Sequence, residues 1–278
     1  MQKRTPISGL GVLAALVLPA CSTVDSVSET VDTATDAAVH GVTGKRPADP
    51  APTSSPATHS NTGATTTGAM PPPMALRGYA MGIFQALFYQ GGYHMAVANF
   101  EEGDYVRYKA TGYGNKGEWF EKALLKRKDD DKEWWQITTN TGNGDKIIME
   151  ALFSAPDKRQ GRQILRLRAK WPDQKAQEVP ITKEQSNRWV LRAPRELTEA
   201  SYKGLKQGIS EVTVPAGTFQ ADHLATSPAS QSGTLNWWLA NQVPGGIVKF
   251  QVKGEDQARG LTLKDYGHNR TQSRLGAF

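Results

Sequence analysis

Few residues in this sequence carry side chains with chemistry of their own, and they are scattered. After residue 75 there are three histidines, His94, His223 and His268. None stands at metal-ligand spacing from another, and a single cysteine rules out a multi-cysteine zinc site or an internal disulfide. A serine nucleophile would be marked by G-x-S-x-G, which is missing. Gly112-Tyr113-Gly114-Asn115-Lys116-Gly117 fits G-x-G-x-x-G by letter. A dinucleotide site also needs a following helix and an acid closing a second strand. The next run ends in Thr139-Asn140, so a glycine-rich hairpin is expected instead. Asp129-Asp130-Asp131 offers carboxylates to calcium, but Lys126, Arg127, Lys128 and Lys132 surround it and predict a solvated turn. No cofactor and no metal are expected, and the chain reads as a non-enzyme.

The tryptophans say more. Trp134-Trp135 and Trp237-Trp238 are adjacent pairs within strand-like runs. Side chains alternate along a strand, so each pair sends one indole to either face of its sheet. These four are the candidate aromatics of an apolar ligand groove; core packing is the competing reading of the same pattern.

The elements that must position them are confined to part of the chain. All 23 aromatics lie at or after Tyr79. Residues 22–75 hold 17 Ser/Thr and 7 Pro, a composition that cannot offset its own ordering entropy. The expected organisation is residues 1–20 as an export signal, 21–75 as a tether and 76–278 as one globular domain. The tether carries a net charge of −3 and the domain +7. A basic domain outside the cytoplasm suits anionic envelope material better than nucleic acid. Within the domain, Ala80, Ile83, Phe84, Leu87 and Phe88 recur at helical spacing and predict an amphipathic helix over 76–90. From Gly103 onward, β-like runs recur every 8 to 15 residues between turn signals. The fold class is therefore mostly β (α+β), a curved antiparallel sheet or open half-barrel covered by an N-terminal helix. No run of 18 apolar residues offers a transmembrane helix.

Lys3 and Arg4 precede an apolar run from Ile7 to Leu18, followed by Leu18-Pro19-Ala20-Cys21. That arrangement resembles the lipobox of bacterial lipoproteins. The resemblance implies cleavage before Cys21, acylation of its thiol and new amine, and a membrane anchor through Cys21. With Ser22 and no aspartate after the cysteine, it implies an outer-membrane lipoprotein facing the periplasm.

Two further segments, Val214-Pro215-Ala216-Gly217-Thr218-Phe219 and Val243-Pro244-Gly245-Gly246-Ile247-Val248-Lys249, resemble secreted and lipoprotein domains of unknown function. Gly103-Asp104-Tyr105-Val106 and the run from Trp135 to Ile148 resemble the same group. Such domains look distantly like the half-barrels of the lipoprotein-carrier family. That resemblance implies a non-enzymatic envelope protein that binds a lipid or acyl chain; the alternative is an accessory that docks on an envelope secretion or pilus machine.

Overall fold

Pro72 and Pro73 open the first helix, α1 (Pro73–Phe88), in the computed structural model. Proline suits a first helical turn because its fixed φ is already helical and its missing N–H would have had no partner. The helix therefore begins inside the proline cluster, three residues before the expected tether boundary. The structure describes residues 72–278 apart from 91–92, 95–98, 113–117, 129, 141–143, 156–160, 189, 193–194, 228–232, 255–257 and 278. The signal, Cys21 and nearly all of the tether lie outside the described residues.

Behind α1 stands a twelve-stranded antiparallel sheet, curved and not closed. Its first half is a meander of β2 (Tyr105–Thr111), β3 (Trp119–Arg127), β4 (Glu133–Asn140), β5 (Lys146–Phe153), β6 (Arg162–Lys170) and β7 (Gln177–Val179). β8 (Val190–Leu191) also pairs with β6. Two short helices, α2 (Lys183–Arg188) and α3 (Glu199–Leu205), flank the connection to the second half. That half is β10 (Lys206–Val214), β11 (Gly217–Thr226), β12 (Thr234–Leu239), β13 (Ile247–Lys253) and β14 (Ala258–Gly267). β14 then pairs with β2, joining both meanders and leaving β10 and β7 as the edges. A separate parallel pair links β1 (Tyr93–His94) to β9 (Arg195–Glu196). The strands recur between turn segments as the sequence spacing predicts, because turn residues that cannot extend a strand close the runs.

The main core lies between α1 and the sheet. Leu76, Ala80, Ile83, Phe84 and Leu87 of α1 are buried against residues of both meanders, from Phe120 and Phe153 to Trp237 and Phe250. Each large apolar side chain so buried contributes about 1.5–3 kcal/mol. Locally, α1 is weakly supported. It has no side-chain N-cap bond, no acid in its first turn and no base in its last. Tertiary bonds hold it instead: Arg77 donates to Pro180 O at 2.7 Å and Gln85 to Arg192 O at 2.6 Å.

The opposite face carries a smaller apolar cluster of Tyr105, Ala123, Leu125, Trp134 and Leu152. The C-terminal segment covers part of this face. Arg274 donates to Gln136 and Thr138, Ser273 donates to Glu150, and Arg168 reaches Glu150 and the Ala277 carbonyl. Glu121, 1% exposed, is held there by Arg107 and by Arg274 at 2.9 Å.

Candidate functional site

β3 runs Trp119-Phe120-Glu121-Lys122-Ala123-Leu124, and strand alternation sends Phe120, Lys122 and Leu124 to the face that meets α1. Phe120 and Leu124 join the main core, so Lys122 delivers an amine to the same apolar interior. Its Nζ donates to the Leu87 carbonyl at 2.9 Å, serving one of the last orphan carbonyls of α1. Gln90 donates to the same carbonyl at 2.7 Å. Three rings flank the ammonium, with centroids 4.7 Å away for Phe100, 5.2 Å for Phe88 and 5.9 Å for Trp135. Burial, aided by the nearby Arg162 guanidinium, lowers the Lys122 amine from its usual 10.5 to about 7.

Beside this amine is a cleft of about 120 Å³. β4 contributes Glu133 and Trp135 to it, β6 contributes Arg162, and the end of β3 contributes Arg127. Glu133 accepts from Arg127 at 3.1 Å, from the Trp135 indole at 2.8 Å and from Arg162. Burial alone would raise its carboxyl, but Arg162, the indole N–H and Arg127 outweigh that and hold it below the ordinary range. Tyr108 completes the floor, donating to Ile247 O at 3.1 Å, and burial pushes its phenol up.

The Val243–Lys249 segment shapes one wall. Gly245 and Gly246 have φ of 73° and 77°, a left-handed region open to glycine at little cost. A Cβ on Gly245 would sit 2.6 Å from the Phe100 ring. The paired glycines thus reverse the chain and let Phe100 close on Lys122. Within Val214–Phe219, Pro215-Ala216 form a two-residue hairpin turn between β10 and β11, with Val214 opposite Gly217.

The four tryptophans divide by face as their pairing requires, but only one reaches the cleft. Trp135 lines it. Trp134 and Trp237 are wholly buried, so they serve the interior and offer no groove surface. Two guanidiniums, Arg166 and Arg168, each 5.4 Å away, lie over Trp134. Trp238 is half-buried, stacked on His223 at 4.8 Å with Lys249 over its ring.

The other sequence candidates separate. His223 bonds Asn236, and His268 bonds the buried Asp104, tying the C-terminal segment to the start of β2. His94 is among the residues that line the cleft. Among the described residues no group of three or more His, Cys, Asp or Glu could hold a metal. The strands on either side of Gly112–Gly117 are antiparallel neighbours, as a hairpin requires; residues 113–117 lie outside the described residues. Lys122, Arg127, Glu133 and Arg162 are the site residues that sequence reading passed over. The period-2 pattern Phe120, Lys122, Leu124 was the signal for the first.

Such a cleft can hold a small anionic group against cations and aromatic faces. It cannot house an acyl chain, since pockets that enclose a ligand run to about 300 Å³ or more. A second depression, lined by Arg77, Ile164, Leu167, Ile181 and Gln185, holds essentially no free space. The apolar interior is filled by α1.

No protein-family model matches the chain, and no curated protein matches it. Among solved structures it is similar to a candidate lipoprotein of Parabacteroides distasonis, with 13% identity over 62% of this chain and 98% of that one, TM-score 0.28. It is similar to the Pseudomonas aeruginosa MucA/MucB complex, with 13% identity over 63% of this chain and 55% of that one, TM-score 0.35. A third is an exported protein of YMCC-like fold from Bacteroides fragilis, with 11% identity over 61% and 98%, TM-score 0.30. Identities and scores this low assign no activity to this chain.

Proposed function

We propose that this chain is a lipid-anchored, non-enzymatic protein of the bacterial envelope, whose half-barrel binds an amphiphilic envelope component such as a lipid or acyl chain. The observation that carries this reading is the way the concave face is closed. An open, apolar, curved sheet is plugged by one helix with weak caps, and that helix ends at a cationic, aromatic-lined cleft. An acyl chain needs the volume now taken by Ile83, Phe84 and Leu87, so ligand entry displaces α1. The charged signal start, the apolar run and Leu18-Pro19-Ala20-Cys21 support export and a lipid anchor at Cys21. An outer-membrane, periplasm-facing location follows from Ser22 and belongs to the same proposal.

Native mass spectrometry of the protein extracted from envelopes in mild detergent tests this reading. A retained lipid-sized adduct is the expected result, and protein that never carries lipid overturns it.

One observation favours a second reading, docking on an envelope protein complex. β10 is a nine-residue edge strand, exposed along most of its length, with Ile209 68% exposed. Such an edge can accept a partner strand. Crosslinking in cells through position 209 recovers a protein partner if this reading holds, and recovers none if it fails.

A further inference from the structure

We propose that the cleft at the C-terminal end of α1 binds a phosphate or carboxylate group, with the Lys122 ammonium as its direct partner and Arg162 and Arg127 as flanking charges. This rests on the amphiphile reading above and names the chemistry of the ligand's head.

The charge balance in the cleft is incomplete. Three cations, Lys122, Arg127 and Arg162, line it against one carboxylate, Glu133. Both arginines and the Trp135 indole already donate to Glu133, and Lys122 has no share of it. Lys122 is 7% exposed and, among the described residues, makes one hydrogen bond, to Leu87 O. An ammonium has three donors, so two stay open. The negative end of α1 supplies about half a charge and the rings add a weaker attraction. Neither replaces a counter-ion, and a buried charge without one is costly.

The space fits the missing partner. At roughly 30 Å³ per water, 120 Å³ holds about four waters, which is the scale of a phosphate or carboxylate. The lowered Lys122 amine is what an absent counter-ion predicts, and a bound oxyanion would restore its proton. The rings of Phe88, Phe100 and Trp135 line the cleft, and Phe88 also packs on Phe153 of the α1 core, so a head held at Lys122 has apolar surface beside it for its chain.

Titration calorimetry on the Cys21→Ser chain, with probes below their micelle concentrations, tests this. Dodecyl phosphate should bind at least tenfold more tightly than the uncharged dodecyl maltoside, and at least tenfold more tightly than it binds Lys122→Met. Equal binding to Lys122→Met overturns the oxyanion site while leaving the amphiphile reading standing. Inorganic phosphate that binds as tightly as dodecyl phosphate, and depends on Lys122, supports the site and defeats the amphiphile reading. Absence of binding by every probe overturns both. Because a change at a buried position can disturb folding, a second measurement keeps residue 122 intact. Dodecyl phosphate should slow acetylation of Lys122 at least threefold, read by peptide mass, and an unchanged rate counts against the proposal.

Discussion

Lys122 concentrates the tension in this molecule into one side chain. Its amine titrates near 10.5 in an unfolded chain and near 7 in the folded one, where it faces Arg162, Arg127, Glu133, Tyr108 and His94. Between those values the unfolded chain holds one more proton, so stability rises with pH from about 7 to 10.5. Below pH 7 the cost of the buried charge is fully present. Lys122→Met should therefore melt several degrees above the parent at pH 6, at about 2–4 °C per kcal/mol, with the gap narrowing by pH 9. Thermal denaturation at the two pH values checks this, and a gap that widens with pH contradicts it. The residue was legible in sequence, because alternation puts it level with Phe120 and Leu124. Its surroundings were not. Arg162 and Glu133 come to the same cleft from other strands, and no local pattern states which strands adjoin. The tryptophan pairs show the same limit, since alternation assigned their faces while the burial of Trp134 depends on Arg166 and Arg168 arriving from β6.

Elements were more legible than the contacts between them. Turn residues closed nearly every run, so β2 to β6 and β10 to β14 could be placed from local signals, whereas the short strands β7, β8 and β9, in the proline-interrupted stretch after Trp171, could not. The junction between β14 and β2 could not, because residues 105 and 267 pair across the whole domain. Nor could the covering of the outer face by residues after His268, which lack apolar periodicity and attach through ions. Two expected outcomes follow at this scale. Gly245→Ala sets a Cβ against Phe100 and forces a left-handed φ on alanine. It should cost about 1–3 kcal/mol, read as a lower denaturation midpoint, and should weaken dodecyl phosphate binding as Phe100 shifts. Unchanged stability would show that the wall is not held by this turn. Arg274→Ala leaves Glu121 to Arg107, with Arg270 3.8 Å away. A loss of about 1–3 kcal/mol is expected in urea unfolding, and a neutral result would mean the C-terminal segment does not secure the sheet.

At the level of the whole molecule, composition divides the chain into a short apolar start, an acidic Ser/Thr/Pro-rich stretch and a basic, aromatic-rich remainder. Cys21→Ser should move the protein from the membrane pellet to the soluble fraction, and retention in the pellet would defeat the anchor. The antiparallel sheet behind a helix was expected from strand spacing and the half-barrel from a family resemblance; how completely α1 fills the interior was not settled by either. Volume inside a curved sheet depends on which side chains of α1 enter it, and helical periodicity fixes only the stripe that faces inward. Since α1 occupies that interior, the proposed acyl-chain binding requires helix displacement as part of the same event. Hydrogen exchange across residues 73–88, with and without saturating dodecyl phosphate, tests this most directly. The predicted result is faster exchange in α1 while β4 and β5 keep their protection. Unchanged protection of α1 in protein that has bound the probe would contradict the account.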